Sequence, residues 1–362
     1  MPTRQPHRLR LIKLRRWLVR EDLDAVVLTD AAQLRYLVSY TGSNGLLAVR
    51  RRDADFLTDG RYREQAREEV HGARIHVVSG DLIGQLSQIR ELGKGRPRIG
   101  YVSQLTSEQS AQRLRSVLPR AVFLPTDDPV APLMQLKYPA EIASIKCAAA
   151  IADRAFAALL PMIKPGVPER ELAAKLEYAM TMAGSEKLPF ETIVVSGPRS
   201  ALPHGRASSR RIRRGDFVTI DFGATVDGYV CDMTRTVAVG PASPKQKRIY
   251  ALVLRAQQAA IARARAGVSC VDLDTSARRL IERAGLGRYF DHGLGHGIGL
   301  AVHEGPGVNP RSKTVLQPGM VITIEPGVYI PGWGGVRIED DIVIGRRGAT
   351  VITHAERKLL EL

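Results

Sequence analysis

Val218-Thr-Ile-Asp-Phe-Gly223, followed across a Val226-Asp-Gly228 turn by Tyr229-Val-Cys-Asp-Met-Thr-Arg235, reads as a β-hairpin carrying one carboxylate in each arm. Asp is disfavoured within strands, and the hairpin is expected to set Asp221 opposite or close to Asp232. Two ionised carboxylates facing each other in apolar surroundings repel, so such a pair either shares a proton or binds a cation.

The pattern recurs further along the chain. Val321-Ile-Thr-Ile-Glu325-Pro and Gly335-Val-Arg-Ile-Glu339-Asp-Asp again place a carboxylate at the end of, or inside, each of two apolar strands. Strand side chains alternate with period two, so Arg337 and Glu339 are expected on one face. Arg337 then either pairs with Glu339 or orients a carboxylate of substrate or ligand, for which its forked guanidinium is suited.

Between the two hairpins lies Asp291-His-Gly-Leu-Gly-His-Gly-Ile-Gly-Leu-Ala-Val-His-Glu304, which holds His292, His296 and His303 out of eight histidines in the chain. The glycines at 293, 295, 297 and 299 disfavour a helix and allow close approach of backbone to a ligand. The spacing is not a dinucleotide loop, because no helix follows it, and it is not HExxH, because Gly307 stands where the second histidine would be. Three histidines with four separated carboxylates fit a site assembled around metal. Asp221, Asp232, Glu325 and Glu339 carry four negative charges, which two divalent ions would balance with a neutral His296 completing the shell. Oxygen-rich ligation with one imidazole favours Mn²⁺ or Co²⁺, with Zn²⁺ as the alternative. His204, in Leu202-Pro-His-Gly205 ahead of the basic run Arg210 to Arg214, reads on its own as either a loop residue or a functional one.

Around these motifs the chain alternates regularly. Helices over 140–160 and 168–183 precede strands near Ile193, 218–222 and 229–239, and helices over 244–266 and 271–284 precede strands over 321–325 and 335–344. That order describes two αα-ββ halves. Upstream, an amphipathic helix over Leu9–Leu18, strands over 24–28, 45–49 and 75–78, and helical stretches over 61–70 and 106–118 describe an alternating α/β unit. Proline and turn formers from Pro125 to Pro132 separate the two, so domains are expected over 1–131 and 132–362.

Composition narrows the class. The chain has 362 residues, 44% of them apolar and 25% charged, which describes a globular protein with enough apolar residues for a core. No run approaches the ~20 apolar residues of a membrane span, and Arg15 and Arg16 interrupt what would be the apolar core of a secretory signal, so a cytoplasmic location is expected. Cys147, Cys231 and Cys270 lack CxxC spacing and are expected as free thiols. The net charge of +16 invites a nucleic-acid partner, but its 42 Arg and 11 Lys are scattered through every segment and aromatics are only 5%, which argues against one.

The ordered set Asp221, Asp232, His296, Glu325 and Glu339, within Asp-Phe-Gly, Cys-Asp-Met-Thr-Arg-Thr, Gly-His-Gly-Ile-Gly, His-Glu and Ile-Glu-Pro-Gly, resembles the Xaa-Pro aminopeptidase and prolidase family of pita-bread metallopeptidases over nearly the whole chain. Tyr36-Leu37, Thr41-Gly-Ser-Asn-Gly45 and Thr58-Asp-Gly-Arg-Tyr62 resemble that family's creatinase-like N-terminal domain, with Val38-Ser39 standing where Thr-Gly is more usual. The resemblance implies an α/β N-terminal domain followed by an α+β pita-bread catalytic domain. It implies two divalent ions bridged by Asp221 and Glu339, with Asp232 on one ion and His296 and Glu325 on the other. Glu325 would carry the proton of an attacking, metal-bridging hydroxide, while His204, His292 and His303 would hold substrate and stabilise the tetrahedral intermediate. The implied activity is cleavage of the Xaa-Pro bond at peptide or dipeptide N-termini, by a homodimer. The rivals are a creatinase-like hydrolase acting on a non-peptide amide, a catalytically silent pita-bread binding module and a methionine aminopeptidase. The first two are disfavoured by the complete set of five ligands, and the third by the preceding α/β domain.

Overall fold

The structure, a computed structural model, describes residues 5–362. The chain divides into two compact units, Met1–Met134 and Gln135–Leu362.

The first unit is built on a six-stranded sheet. Helix α1 (Gln5–Arg20) buries Leu11, Leu14 and Leu18 at helical spacing and leads to β1 (Ala25–Leu28). Then follow α2 (Ala31–Val38), β2 (Leu46–Arg50), β3 (Ala54–Asp59), α3 (Arg63–Glu69), β4 (Arg74–Val78), β5 (Arg98–Val102), α4 (Glu108–Val117) and β6 (Val122–Thr126). The strand order is β4-β3-β2-β1-β5-β6. The β1-β2-β3 meander is antiparallel, and β4, β5 and β6 join in parallel. Strands β3, β5 and β6 and helix α2 go beyond the elements expected from sequence. β6 contains Pro125 and survives as a strand because it lies at the sheet edge, where a missing N–H costs no ladder bond.

A single turn, α5 (Ala131–Met134), ends the first unit. The second unit runs α6 (Pro139–Leu159), α7 (Glu169–Met182), β7 (Ile193–Ser196), β8 (Phe217–Phe222), β9 (Thr225–Val226), β10 (Tyr229–Val230), β11 (Met233–Ala238), α8 (Pro244–Arg263) and α9 (Cys270–Arg283). It continues with β12 (Gly295–Gly297), β13 (Glu304–Val308), β14 (Val321–Ile324), β15 (Gly327–Ile330), β16 (Gly334–Arg337), β17 (Asp340–Ile344) and β18 (Ala349–Val351). Ser243 and Pro244 start α8 in the way its sequence demands: Ser243 caps the Gln246 N–H, Gln246 answers at the Ser243 N–H, and proline occupies a position with no N–H to satisfy.

Two helical layers each cover one sheet. Helices α6 and α7 pack Phe156, Leu172 and Leu176 against Val194, Ile220 and Val237 of the antiparallel sheet β11-β8-β7. Helices α8 and α9 pack Val253, Leu273 and Ile281 against Ile322, Ile324 and Ile342 of the sheet β13-β12-β14-β17-β18 and the hairpin β15-β16. The faces turned away from the helices carry the carboxylates.

Of the two arrangements expected for the hairpin, Asp221 lies close to Asp232 and opposite Thr234, because the β8–β11 ladder closes at Phe222↔Met233 and residues 223–232 leave it as an excursion containing β9 and β10. That excursion needs Gly223, where an added Cβ would stand 2.1 Å from the Cys231 carbonyl oxygen. The expected strand over 335–344 is two strands in different sheets, β16 pairing with β15 and β17 with β14, so Glu339 sits at the junction between them.

Strand β12 runs between neighbours so close that Gly297 has no room for a side chain: a Cβ would lie 2.1 Å from the Gly305 carbonyl oxygen. Gly297→Ala is therefore expected to destabilise the second unit by about 1–3 kcal/mol, the usual range for forcing extra atoms into a packed site. Chemical denaturation would measure it, and an unchanged midpoint would contradict the packing described.

Candidate active site

All nine residues singled out by sequence line a single cavity of about 650 Å³: His204, Asp221, Asp232, His292, His296, His303, Glu325, Arg337 and Glu339. Most sit near or just beyond a strand end or in a loop held by strands. Asp221 is the penultimate residue of β8, and Asp232 immediately precedes β11. His296 is the middle residue of β12, Glu325 follows β14, and Glu339 joins β16 to β17. Strand ends suit carboxylates because the apolar ladder positions the backbone while the side chain escapes the core.

The tightest cluster is Asp232, His296 and Glu339, which offer ligand atoms all within 4.8 Å of one another. His296 Nε2 stands 3.6 Å from Asp232 Oδ2 and 3.4 Å from Glu325 Oε1. Its Nδ1 faces the Gly297 carbonyl at 3.1 Å, which can only accept, so Nδ1 carries the proton and Nε2 turns a lone pair towards the carboxylates. Burial lowers its pKa to about 4, which keeps the ring neutral and available as a ligand.

The carboxylates are strained electrostatically. Burial, then the Glu339 and Asp221 charges, pushes Asp232 well above the ordinary carboxyl range. Burial, then Glu339, does the same to Glu325. Glu339 is pushed up to about 8 by burial and then by Asp221, against the counter-pull of Arg337. Asp221 Oδ1, Asp232 Oδ1 and Glu339 Oε1 are buried without a hydrogen-bond partner. Buried acceptors in this state call for protons or a cation, and the donor set of four carboxylates with one neutral imidazole fits divalent metal.

Hydroxyl groups fix the opposite oxygens. Thr234 Oγ1 donates to Glu339 Oε2 at 2.6 Å and receives the Arg337 Nε hydrogen at 2.8 Å. Thr323 Oγ1 donates to Glu325 Oε1 at 3.3 Å and accepts the His296 N–H at 3.0 Å. The Asp232 N–H donates to Asp341 Oδ2 at 2.9 Å.

Arg337 does not make the ion pair with Glu339 weighed from sequence. It is 4% exposed and donates to Asp221 Oδ2 at 2.6 Å, to Tyr329 Oη at 3.0 Å and to the Pro203 carbonyl at 3.1 Å. Thr234 Oγ1 stands between the two, receiving from Arg337 Nε and donating to Glu339 Oε2, and the guanidinium pairs with Asp221 instead. His292 extends this chain: Nδ1 donates to the Gly293 carbonyl at 2.7 Å, leaving Nε2 to accept from Tyr329 Oη at 3.1 Å. Burial lowers the His292 pKa to about 4, matching that neutral form. His204 and His303 are exposed on the cavity wall, and the His303 ring lies 4.4 Å from that of His296.

Sequence reasoning missed Tyr329, Thr234, Thr323 and Asp341. Only Asp341 left a signal, as the second of two acids opening the apolar strand Asp-Asp-Ile-Val-Ile.

Comparison with known proteins agrees with this geometry. Residues 143–346 match the model of metallopeptidase family M24, and residues 10–133 match the Creatinase/Prolidase N-terminal domain. An Xaa-Pro dipeptidase of Pyrococcus furiosus is 40% identical over 355 residues, covering 97% of this chain and 99% of that protein. A solved Xaa-Pro dipeptidase from Bacillus anthracis superposes with a TM-score of 0.95 at 42% identity, covering 98% of this chain and all of that one. An X-Pro aminopeptidase from Thermotoga maritima gives a TM-score of 0.87 at 37% identity, covering 94% and 98%. The two-layered second unit with its carboxylate-lined cleft is thus a pita-bread domain behind a creatinase-like α/β unit, and the chain belongs to the prolidase branch of the M24 metallopeptidases.

Proposed function

We propose that the protein hydrolyses the bond preceding proline at the N-terminus of short peptides, using two divalent ions held by Asp221, Asp232, His296, Glu325 and Glu339. The observation that carries this reading is a mutually repelling carboxylate set with buried, unpartnered oxygens on residues that line one cavity beside a neutral imidazole lone pair. The four negative charges of Asp221, Asp232, Glu325 and Glu339 would be balanced by two divalent cations, with neutral His296 completing the set of residues that would hold them. Oxygen-rich ligation favours Mn²⁺ or Co²⁺, with Zn²⁺ as the alternative. When bound, the ions supply an acidified water and polarisation of the scissile carbonyl.

The chain's own residues do the rest. Glu325, held by Thr323, takes the proton of the attacking water and returns it to the departing nitrogen. That return matters for a proline amide, whose nitrogen carries no hydrogen of its own. His204 and His303, exposed on the wall, donate to the substrate carbonyl and to the charge that develops on it. Arg337 holds Asp221 Oδ2 and so aims its carboxylate. His292, with both nitrogens engaged, acts by orienting Tyr329.

The cavity lies within the range of small-ligand sites. Arg311 is exposed on its wall, and its guanidinium has no carboxylate partner among the described residues. A free C-terminal carboxylate placed there favours dipeptides, as the names of the Bacillus and Pyrococcus relatives do. A cytoplasmic homodimer completes the reading, and the exposed free thiol of Cys147 suits a reducing compartment.

Three outcomes are expected. After chelation and return of Mn²⁺ or Co²⁺, Ala-Pro is cleaved faster than Ala-Pro-Ala, while Met-Ala-Ser is not cut; no cleavage with any metal would overturn the assignment. Asp232→Ala lowers turnover by more than about 100-fold with its circular dichroism unchanged, since even partners outside the ligand shell cost up to that much.

The third concerns pH. An acid whose folded pKa is raised stabilises the fold below its ordinary value and loses that contribution as pH rises through the folded one. The buried histidines, lowered to about 4 from 6.5, have finished titrating in both states by about pH 7. Between there and pH 8 the Glu339 shift governs, so melting temperature in chelator falls with rising pH. Divalent metal reverses the trend, because deprotonated ligands bind it more tightly. Melting curves that are flat in chelator over this range would contradict the electrostatics described.

A further inference from the structure

Arg235 is only 1% exposed, yet it does not line the cavity. Nε donates to the carbonyls of Ala355 and Glu356 at 3.2 and 3.1 Å. Nη1 donates to the carbonyls of Thr234, at 3.0 Å, and Glu339. Nη2 donates to the Ala355 carbonyl at 2.8 Å and to Asp340 Oδ1 at 2.7 Å. Asp340, fully buried, also accepts from Thr353 Oγ1 at 2.8 Å and from Gln257 Nε2.

A buried ion pair is weak grounds for stability, because desolvation offsets its attraction. Its position is more informative. Asp221 lies in β8 and Asp232 just before β11, at the sheet β11-β8-β7, while His296 lies in β12, Glu325 just after β14 and Glu339 between β16 and β17. The proposed metal site exists only where these sheets meet. At that junction the Glu339 N–H donates to the Thr234 carbonyl at 3.1 Å, and Thr234 Oγ1 grips the Glu339 carboxylate. Alternation along the backbone turns Thr234 and Glu339 towards the cavity and Arg235 and Asp340 away from it. Arg235 thus holds the carbonyls of Thr234 and Glu339 from behind, and Asp340, the residue after Glu339, holds Arg235.

We propose that Arg235 and Asp340 form a positioning pair that sets the spacing between the two carboxylate-bearing sheets and thereby the affinity for divalent metal. The inference rests on the reading of Glu339 as a metal ligand. Thr353 supports the pair by fixing the Asp340 carboxylate.

The test is calorimetric titration of chelator-stripped full-length protein with Mn²⁺. The variants are Arg235→Lys, Asp340→Asn and Thr353→Val, with Leu273→Ala as a control for lost stability in the helical layer. Mn²⁺ affinity is expected to weaken about 10- to 100-fold in Arg235→Lys and Asp340→Asn, the range for residues that orient ligands. Thr353→Val, which removes one hydroxyl and keeps the fold, weakens it severalfold. Leu273→Ala lowers the melting temperature and leaves affinity unchanged. Variants that bind Mn²⁺ as tightly as the wild type, or weaken no more than Leu273→Ala, overturn the proposal. Absence of Mn²⁺ binding by the wild type instead overturns the metal reading on which it rests.

Discussion

Four carboxylates buried at one cleft are the constraint around which the second unit is organised. Asp232, Glu325 and Glu339 sit where burial penalises charge, and the neighbouring carboxylates, Asp221 among them, raise their affinity for protons further. A chain folding on its own would relieve this by exposing them. The two sheets do not permit it, because each is backed by a helical pair whose apolar contacts fix the strands from which the acids project. The helical layers supply the stability that allows the cleft to remain electrostatically unfavourable without a cation.

Every neighbouring polar group fits that constraint. Thr234 and Thr323 each satisfy one oxygen of a glutamate and leave the other free, and Arg337 does the same for Asp221. His296 reaches the same cleft by another route, since Gly295 and Gly297 bring β12 against Thr323 and Gly305 too closely for any side chain. Its imidazole then presents a lone pair where the carboxylates converge.

The arginine excess is partly explained by such structural uses. Arg10, Arg235 and Arg337 are each at most 4% exposed, and each directs hydrogen bonds at backbone carbonyls. A guanidinium can satisfy several carbonyls at once and stays charged when buried, which an ammonium does less well. These cations hold loops and strand junctions, and they are unavailable to an external polyanion.

The sequence by itself carried the division into two units, the αα-ββ order of the second unit and the acids and histidines singled out above, because such residues inside apolar, glycine-bounded strands have few uses other than a site; His204 was singled out only through the family resemblance. It also carried the helix over 140–160 and the start of α8 at Ser243, where local hydrogen bonding alone sets the boundary. Tertiary structure decided the pairing. Asp221 faces Thr234 because the ladder closes at Phe222 and Met233, and Glu339 joins two strands of different sheets, separated from Arg337 by the Thr234 hydroxyl. Side-chain alternation fixes which residues share a face within one strand, but it is silent about where a strand ends and which sheet the next one joins. Those choices depend on the packing of both helical layers at once. For that reason Tyr329, Thr234 and the Arg235–Asp340 pair, whose roles are made wholly of contacts between distant segments, had no signature in the linear chain.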